Sequence, residues 1–308
     1  MNKILVIGHL NPDTDSITSA ISFSFLQNQL GKNTEAVALG ECNEETLFAL
    51  NYFKFDAPRI IDRASNDTKD VMLVDHNEFQ QAVSDISELN ILAVIDHHRI
   101  ANFQTASPLY YRAEAVGCTQ TIILKIFKEN SIAIPKNIAG LMLSGIISDT
   151  LLFKSPTCTE EDVRAAEELS SIAEVDINSY GLDLLKAGTN LSNKTAEQLI
   201  HLDAKSFEVH GKKIVVSQVN AIDFSDILSR KNEILDVLNH TISESSLDLF
   251  VFVITNILEG DSKMISAGGL INECEKAFNT KFIDNEAFLK GVVSRKKQII
   301  PSLMDALS

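Results

Sequence analysis

The sequence predicts an α/β protein in two parts: an N-terminal domain built on a parallel sheet and a smaller C-terminal mixed α/β domain. Three observations predict this. Strand and helix signals alternate through the first half of the chain. The strand candidates there are short runs apolar on both faces, as in a parallel sheet covered by helices on both sides. At 308 residues the chain is long for one hydrophobic core, and its character changes near residue 190.

Lys3 to Ile7 is short, apolar and rich in β-branched residues, and reads as a buried strand. Asp15 or Ser16 caps the helix that follows, which runs to about Leu30 and stops at Gly31. Ala36 to Leu39 is a second strand and Cys42 to Phe53 a helix, with further strands at Val71 to Val74 and Leu92 to Ile95. Gly117 to Asn130 is an amphipathic helix and Pro135 to Ser148 a buried one. Thr159 opens another, with Glu160, Glu161 and Asp162 in the first turn, where the helix dipole favours negative charge. The small, polar stretch from Lys186 to Lys194 lies between two helical patterns, so the domains are drawn as 1–187 and 196–308, with a linker at 188–195. Beyond it Lys213 to Val219, Leu247 to Ile257 and Lys263 to Ala267 read as strands, and Ser225 to Ser243 as one helix.

Composition narrows the function. Hydrophobic residues make up 45% and charged residues 22%, ordinary for a water-soluble globular chain. The net charge of −15 repels polyanions, so long nucleic acid is not an expected partner, whereas a small anion in a local basic pocket is compatible. The cysteines (Cys42, Cys118, Cys158, Cys274) are scattered, which points to free thiols in a reducing cytoplasm. The densest apolar stretch, Ile138 to Ile147, is about half of the roughly 20 residues needed to cross a bilayer, and no signal peptide is evident, so no membrane association is expected.

The chemistry-bearing residues gather where predicted elements end. His9, Asp13 and Asp15 follow the first strand, Asp75 and His76 the strand at 71–74, and Asp96, His97 and His98 the strand at 92–95; Asp149 closes the buried helix. Open parallel sheets bind ligands outside the carboxyl ends of their strands, so these dispersed groups converge on one edge. Taken singly, each has a plain structural account: Asp13 and Asp15 as turn and cap residues, Asp75 as a cap, His97 as a hydrogen-bonded histidine. Taken together they leave several carboxylates at buried strand ends, which is expensive unless cations compensate them. Imidazole and carboxylate donors without thiolate suit Mn²⁺, Fe²⁺, Co²⁺ or Mg²⁺. His9, Asp13, Asp15, Asp75, His97 and Asp149 are too many ligands for one ion with open positions, and suit two ions that share a carboxylate. His201, His210 and His240 lack acidic neighbours at ligand spacing. The basic run Arg295-Lys296-Lys297, set between Ser294 and Gln298 and flanked by Val292-Val293 and Ile299-Ile300, reads as an ordered phosphate grip rather than a solvated tail.

The segments His9-x-Asn11-Pro12-Asp13-x-Asp15-Ser16, Asp75-His76-Asn77, Asp96-His97-His98 and Ser294-Arg295-Lys296-Lys297-Gln298, in this order along the whole chain, resemble the family II inorganic pyrophosphatases of the DHH phosphoesterase superfamily. The first and last segments are the specific ones. The resemblance implies hydrolysis of inorganic pyrophosphate to two orthophosphates by a metal-bridging hydroxide, with two Mn²⁺ (or Co²⁺) per subunit and Mg²⁺ arriving with the substrate. It implies that His9, Asp13 and Asp75 hold one metal and that Asp15, Asp75, His97 and Asp149 hold the other. It places substrate contacts at His98, Lys205, Arg295 and Lys296, an active site in the cleft between the domains, and a homodimer made through the N-terminal domains. His98, next to an expected ligand but not itself one, reads as a general acid or an electrophile on the substrate.

Two other readings compete. A DHH-type phosphodiesterase acting on short oligonucleotides or cyclic dinucleotides would typically carry a glycine-rich motif ending in histidine, and Ala267-Gly268-Gly269-Leu270 has no histidine. A non-catalytic sensor with a nucleotide-binding insertion does not fit, because only 21 positions separate Asp75 from Asp96.

Overall fold

The computed structural model describes residues 2–189, 191 and 193–307, apart from the side chains of residues 296 and 297. It divides into two units, Met1–Gly188 and Thr189–Ser308.

The first unit is laid out as β1 (Ile4–Leu10), α1 (Thr14–Gln29), β2 (Thr34–Leu39), α2 (Glu44–Phe53), β3 (Asp70–Val74), β4 (Asn90–Asp96), β5 (Tyr110–Ala113), α3 (Thr119–Glu129), α4 (Lys136–Thr150), α5 (Glu160–Ala173) and α6 (Ile177–Gly188). Its five strands are all parallel, in the order β2-β1-β3-β4-β5. The chain order reverses between β1 and β3, and at that switch point the strand ends splay apart and leave room for a ligand. Leu5, Ile7, Leu73 and Val94 pack into one face of the sheet, while Val6, Met72, Val74 and Ile95 are equally buried on the other. Helix α1 packs on β1 and lies against α3 and α4. The opposite face departs from the expected pair of helical layers. Ile61, Ala64, Ala82, Val83 and Ile86, from irregular chain and single 3₁₀ turns, cover it instead.

The second unit holds α7 (Ala196–His201), β6 (Lys205–Val209), β7 (Lys212–Ala221), α8 (Ser225–Leu228), α9 (Lys231–Ser245), β8 (Leu249–Asn256), β9 (Asp261–Gly268), α10 (Ile271–Phe278), β10 (Glu286–Leu289) and α11 (Ile300–Leu307). Its sheet, ordered β10-β9-β8-β7-β6, is mixed: β7 and β8 are parallel and the other pairs antiparallel. Every residue of β8 is buried. Phe250, Phe252 and Ile254 meet α7 and α9 on one face, and Val251 and Val253 meet Cys274, Ile299 and Leu303 on the other.

Three local expectations change. The helix foreseen over 225–243 is two helices, broken at Ser229 and Arg230, where Ile227 has already buried itself and the chain turns to bring Ile234 and Leu238 under the sheet. The N-cap of α1 is Asp13, whose Oδ1 accepts from Ser16 N at 2.9 Å, rather than Asp15 or Ser16. Lys186 to Gly188 extend α6 instead of opening a linker, because Leu184 and Leu185 carry its buried stripe that far. Thr159 does cap α5, in a reciprocal box with Asp162.

Candidate metal centre

The polar groups that the sequence scattered meet at the carboxyl ends of β1, β3 and β4. The end of β1 is irregular: pairing with β2 slips between Ile7 and Leu10. Gly8 lies against α1 so closely that a Cβ there would fall 2.0 Å from Ser16 Oγ, and Ser16 Oγ accepts the His9 N–H at 2.9 Å. The slip and the close approach turn the His9 ring inward. At the end of β3, Asp75 adopts φ 60°, unusual for a non-glycine residue, and is tied to β4 by its N–H bond to Ile95 O at 2.9 Å. That conformation lifts its carboxylate out of the strand direction and into the space over the switch point.

Around Asp75 the donor atoms form three groups, each lying within 4.8 Å of one another: His9, Asp13 and Asp75; Asp15, Asp75, His97 and Asp149; and Asp75, His97 and His98. Asp75 belongs to all three and is divided between them. Its Oδ2 lies 3.4 Å from His9 Nε2, and its Oδ1 lies 3.4 Å from His97 Nε2. His9 Nε2 is also 3.4 Å from Asp13 Oδ2, and His97 Nε2 is 3.5 Å from Asp149 Oδ2. Asp13 thus caps α1 with one oxygen and offers the other to the cluster, so its structural and its ligand accounts coexist.

The histidine tautomers follow from their backbone contacts. His9 Nδ1 is 2.9 Å from Leu10 O and His97 Nδ1 is 3.1 Å from Val116 O. A carbonyl only accepts, so each Nδ1 carries a proton and each Nε2 faces carboxylate oxygens. A neutral ring there would oppose lone pair to lone pair; either a proton or a cation has to stand between them. Without a cation it is a proton. Burial works against charge on His9, but its bonds to Asp13 and Asp75 outweigh this and raise it to about 11. His97 is likewise opposed by burial and raised, by Asp75 and Asp15, to about 9. Burial and the charge of Asp75 push Asp15 up to about 7, and burial with Asp15 and Asp75 holds Asp149 well above the ordinary range. Asp75 itself lies below that range, burial being overcome by His9 and His97. Among the described residues Asp75 Oδ2 and His97 Nε2 are buried without a hydrogen-bond partner. Oxygen and imidazole donors in this number, converging, part-protonated and unsatisfied, fit divalent cations such as Mn²⁺.

Helices complete the cluster. Asp15 stands in the first turn of α1, its Oδ1 accepting from Ser19 Oγ at 2.9 Å and its Oδ2 from Thr119 N at 2.8 Å. Thr119 opens α3 and also donates through Oγ1 to Asp75 Oδ1 at 3.0 Å. It is fully buried and touches two of the expected ligands, yet nothing in the sequence marks it, because the contacts span 104 and 44 positions. Asp149 lies in the last turn of α4, which the chain leaves through three successive non-glycine residues of positive φ: Leu151 (48°), Leu152 (51°) and Phe153 (67°). Leu152 Cδ1 lies 2.5 Å from where a Cβ on Gly181 of α6 would be, so this turn depends on that glycine.

His98 has a separate arrangement. Its Nδ1 is 2.9 Å from Asp96 Oδ1, and the fully buried Asp96 also accepts from Asn77 Nδ2 at 2.6 Å. The Asp96 bond raises the His98 pKa against burial. His98 Nδ1 also comes within 3.7 Å of Asp75 Oδ1, so His98 joins the third donor group while its Nδ1 is engaged by Asp96. His76 is buried, with its Nδ1 2.9 Å from Val74 O.

In the second unit, Arg295 opens a single wide helical turn, Arg295–Ile299, closed by an Ile299 N to Ser294 O bond at 3.2 Å. Its flanks are pinned from two sides. Gln298 Oε1 accepts from Val293 N at 2.9 Å and Ser294 N at 3.0 Å, while Gln218 Oε1 accepts from Arg295 N at 3.1 Å. These bonds hold the backbone on either side of the basic run through Gln298 and Gln218. Arg295 Nη2 donates to Asp203 Oδ1 at 2.9 Å, and its Nε and Nη1 are buried without a hydrogen-bond partner among the described residues. Lys205 follows Asp203 by two residues, exposed at the start of β6. The Lys296 side chain lies outside the described residues.

Two family models match the chain. Residues 3–146 match the family model described as "DHH family, N-terminal domain", and residues 182–306 match the "DHHA2 domain". The "Probable manganese-dependent inorganic pyrophosphatase" of Enterococcus faecalis is 59% identical over 308 residues, all of both chains. The "Manganese-dependent inorganic pyrophosphatase" of Bacillus subtilis is 56% identical over the same span, again the whole of both chains. A solved Methanococcus jannaschii structure assigned to the family II inorganic pyrophosphatases superposes with a TM-score of 0.63 at 38% identity, covering 99% of each chain. An exopolyphosphatase-related protein of Bacteroides fragilis, at 15% identity and a TM-score of 0.53 over 99% of this chain and 92% of its own, shares the fold. Identity at this level over the full length, joined to a DHH domain and a DHHA2 domain, places the chain in a family: it belongs to the family II, manganese-dependent inorganic pyrophosphatases.

Proposed function

We propose that this chain hydrolyses inorganic pyrophosphate to two orthophosphates with two Mn²⁺ ions held in its N-terminal unit, one by His9, Asp13 and Asp75 and one by Asp15, Asp75, His97 and Asp149. Pyrophosphate hydrolysis is the activity that names the relatives, and the chain is an inorganic diphosphatase in that sense. The observation that carries the site assignment is the division of Asp75, one oxygen toward His9 and the other toward His97, at the centre of converging donors. When bound, such ions acidify a coordinated water and take up charge on phosphoryl oxygens. Co²⁺ has the same ligand preferences, and Mg²⁺ accompanies the substrate in this reading.

The chain's own groups do the rest. Asp96 fixes the His98 ring through Nδ1 and raises its pKa, so that His98 can hand a proton from Nε2 to a substrate oxygen. Arg295, steadied on one edge by Asp203, keeps Nε and Nη1 for phosphate oxygens, with Lys205 and Lys296 as further positive charges. The domain roles follow: a metal-binding catalytic domain at 1–187 and a substrate-binding domain at 196–308. Two copies pairing through their N-terminal units is the proposed assembly; β5 leaves a sheet edge there with Tyr110 exposed. Four free thiols go with a reducing cytoplasm, and no helix among the described residues is long and apolar enough to cross a membrane.

The test is phosphate release from pyrophosphate by metal-stripped protein after addition of Mn²⁺ with Mg²⁺, beside the dinucleotide pApA. Rapid Mn²⁺-dependent release with inert pApA is expected. Cleavage of pApA with inert pyrophosphate would discard the substrate and move the metal centre to phosphodiesterase chemistry.

A further inference from the structure

Glu45 is the second residue of α2 and carries no ligand spacing in the sequence. In the structure its Oε1 accepts from two hydroxyls at once: Thr14 Oγ1 at 2.7 Å and Ser148 Oγ at 2.5 Å. Thr14, fully buried, is the residue between Asp13 and Asp15; Ser148 immediately precedes Asp149. Thr14 opens α1 and Ser148 lies in the last turn of α4. A single carboxylate oxygen therefore fastens together the two helix ends that bear three of the six expected metal ligands. Thr46, the next residue of α2, adds a contact of 3.1 Å between its Oγ1 and Thr14 Oγ1.

The other side of Glu45 is closed by backbone. Gly188, the last residue of α6, stands so near that a Cβ on it would lie 2.8 Å from Glu45 Oε2, 2.9 Å from Glu45 Cβ and 3.3 Å from Glu45 Cδ. Any side chain at 188 has to displace Glu45. The glycine is not there for a left-handed turn, since it sits within the helix; the close approach is what requires it.

We infer that Glu45 is a positioning residue for the metal centre: it sets the separation between the first turn of α1 and the last turn of α4, and hence between Asp13 and Asp15 on one side and Asp149 on the other, with Gly188 keeping the space it occupies. The inference rests on Asp13, Asp15 and Asp149 being ligands. A carboxylate that orients ligand-bearing elements from behind typically changes metal affinity by about 10–100-fold when removed.

Mn²⁺ binding to the metal-stripped full-length protein, followed by titration calorimetry and by the electron paramagnetic resonance of free Mn²⁺, tests this alongside thermal unfolding of the metal-free form. Glu45→Ala is expected to weaken Mn²⁺ binding about 10–100-fold. Glu45→Gln, whose amide oxygen can accept both hydroxyls, is expected to restore most of it. Gly188→Ala leaves every ligand and both hydroxyls in place, yet is expected to weaken Mn²⁺ binding severalfold and to add nothing in a Glu45→Ala background, where the side chain it displaces is gone. A lowered melting temperature with unchanged Mn²⁺ affinity in Glu45→Ala would make Glu45 merely structural and overturn the inference. So would a Glu45→Gln variant as weak as Glu45→Ala, which would make charge rather than position the cause. Should Glu45→Ala not fold, normal Mn²⁺ affinity in Gly188→Ala would overturn the inference equally. A wild-type chain that takes up no Mn²⁺ would remove the ligand assignment itself, whereas normal wild-type uptake with unaffected variants removes only the role of Glu45.

Discussion

Replacing Gly145 by alanine places a methyl group between α4 and α1 directly against Asp15, a proposed metal ligand. A Cβ at 145 would stand 2.9 Å from Gln120 Cγ, 2.9 Å from Thr18 Oγ1 and 3.0 Å from Asp15 Oδ1. Ordinary carbon–oxygen contact begins near 3.4 Å, so Asp15 has to retreat by about 0.4 Å, roughly twice the ~0.2 Å by which metal–ligand distances vary in working sites. Two stability effects oppose each other. Overpacking costs about 1–3 kcal/mol, and alanine in a helix interior returns about 1 kcal/mol relative to glycine. The net loss of about 0–2 kcal/mol in a unit of this size lowers the melting temperature of the metal-free protein by at most about 8 °C. Mn²⁺ affinity, measured by titration calorimetry well below that temperature, is expected to fall about 10–100-fold. Affinity within twofold of wild type, with the small melting shift present, would show that Gln120 and Thr18 absorb the methyl and that Asp15 is not held as tightly as argued.

Three further outcomes are expected. Thr119→Val is isosteric and removes the hydroxyl that donates to Asp75 Oδ1; a hydrogen bond to a charged group is worth about 1.5–3 kcal/mol, so metal-free unfolding should shift down accordingly and Mn²⁺ binding weaken, and an unchanged pair of values would refute the contact. His9 near 11, His97 near 9 and Asp15 near 7 mean that the metal-free centre is protonated at neutral pH, and ligation requires bare nitrogen and oxygen. Lowering pH therefore adds competitors for the metal, so Mn²⁺ affinity should rise from about pH 6 to about pH 9, by up to tenfold per unit for each proton displaced, with proton release visible as a buffer-dependent heat; a flat profile would contradict these protonation states. Arg295→Lys keeps the charge but loses the planar fork and the Asp203 bond, and should lower kcat/KM for pyrophosphate about tenfold or more; wild-type kinetics would remove Arg295 from the substrate.

The centre was legible where the physics is local. His9, Asp75 and His97 follow apolar runs at once, and charge at buried strand ends demands an explanation from sequence alone. Asp13 and Asp15 were legible by proximity to His9, although the cap of α1, read as Asp15 or Ser16, proved to be Asp13, because several capping residues stand in succession there and sequence alone does not choose between them. Thr119, Glu45 and Asp203 were invisible, because their partners lie 44, 103 and 92 positions away and only the tertiary fold brings them together. Strand β5 escaped notice because Tyr110 to Ala113 is short, edge-bound and only partly buried, so it carries no apolar run. The break between α8 and α9 was hidden because no glycine or proline marks it, and burial of Ile227 and Ile234 in one core cluster decided it.

The left-handed exit from α4 bears on how the protein meets its metal. Three consecutive residues at positive φ, Leu151 to Phe153, cost about 1–2 kcal/mol each, and they begin two positions after Asp149. The last turn of α4 is consequently wound against a spring, held by the Leu152 N to Ile147 O bond at 3.0 Å and by the pocket that Gly181 leaves for Leu152. When no cation holds Asp149, that spring works to fray the helix end, so amide exchange there should outrun exchange in the rest of α4. If Asp149 is a ligand as proposed, an ion bound there also holds the turn wound, and the strain subtracts from the affinity of the donors alone. On the proposed assignment of Asp149 as a ligand, the expected consequence is metal release faster than the donor count alone would give, set in part by a backbone segment that begins two positions beyond it.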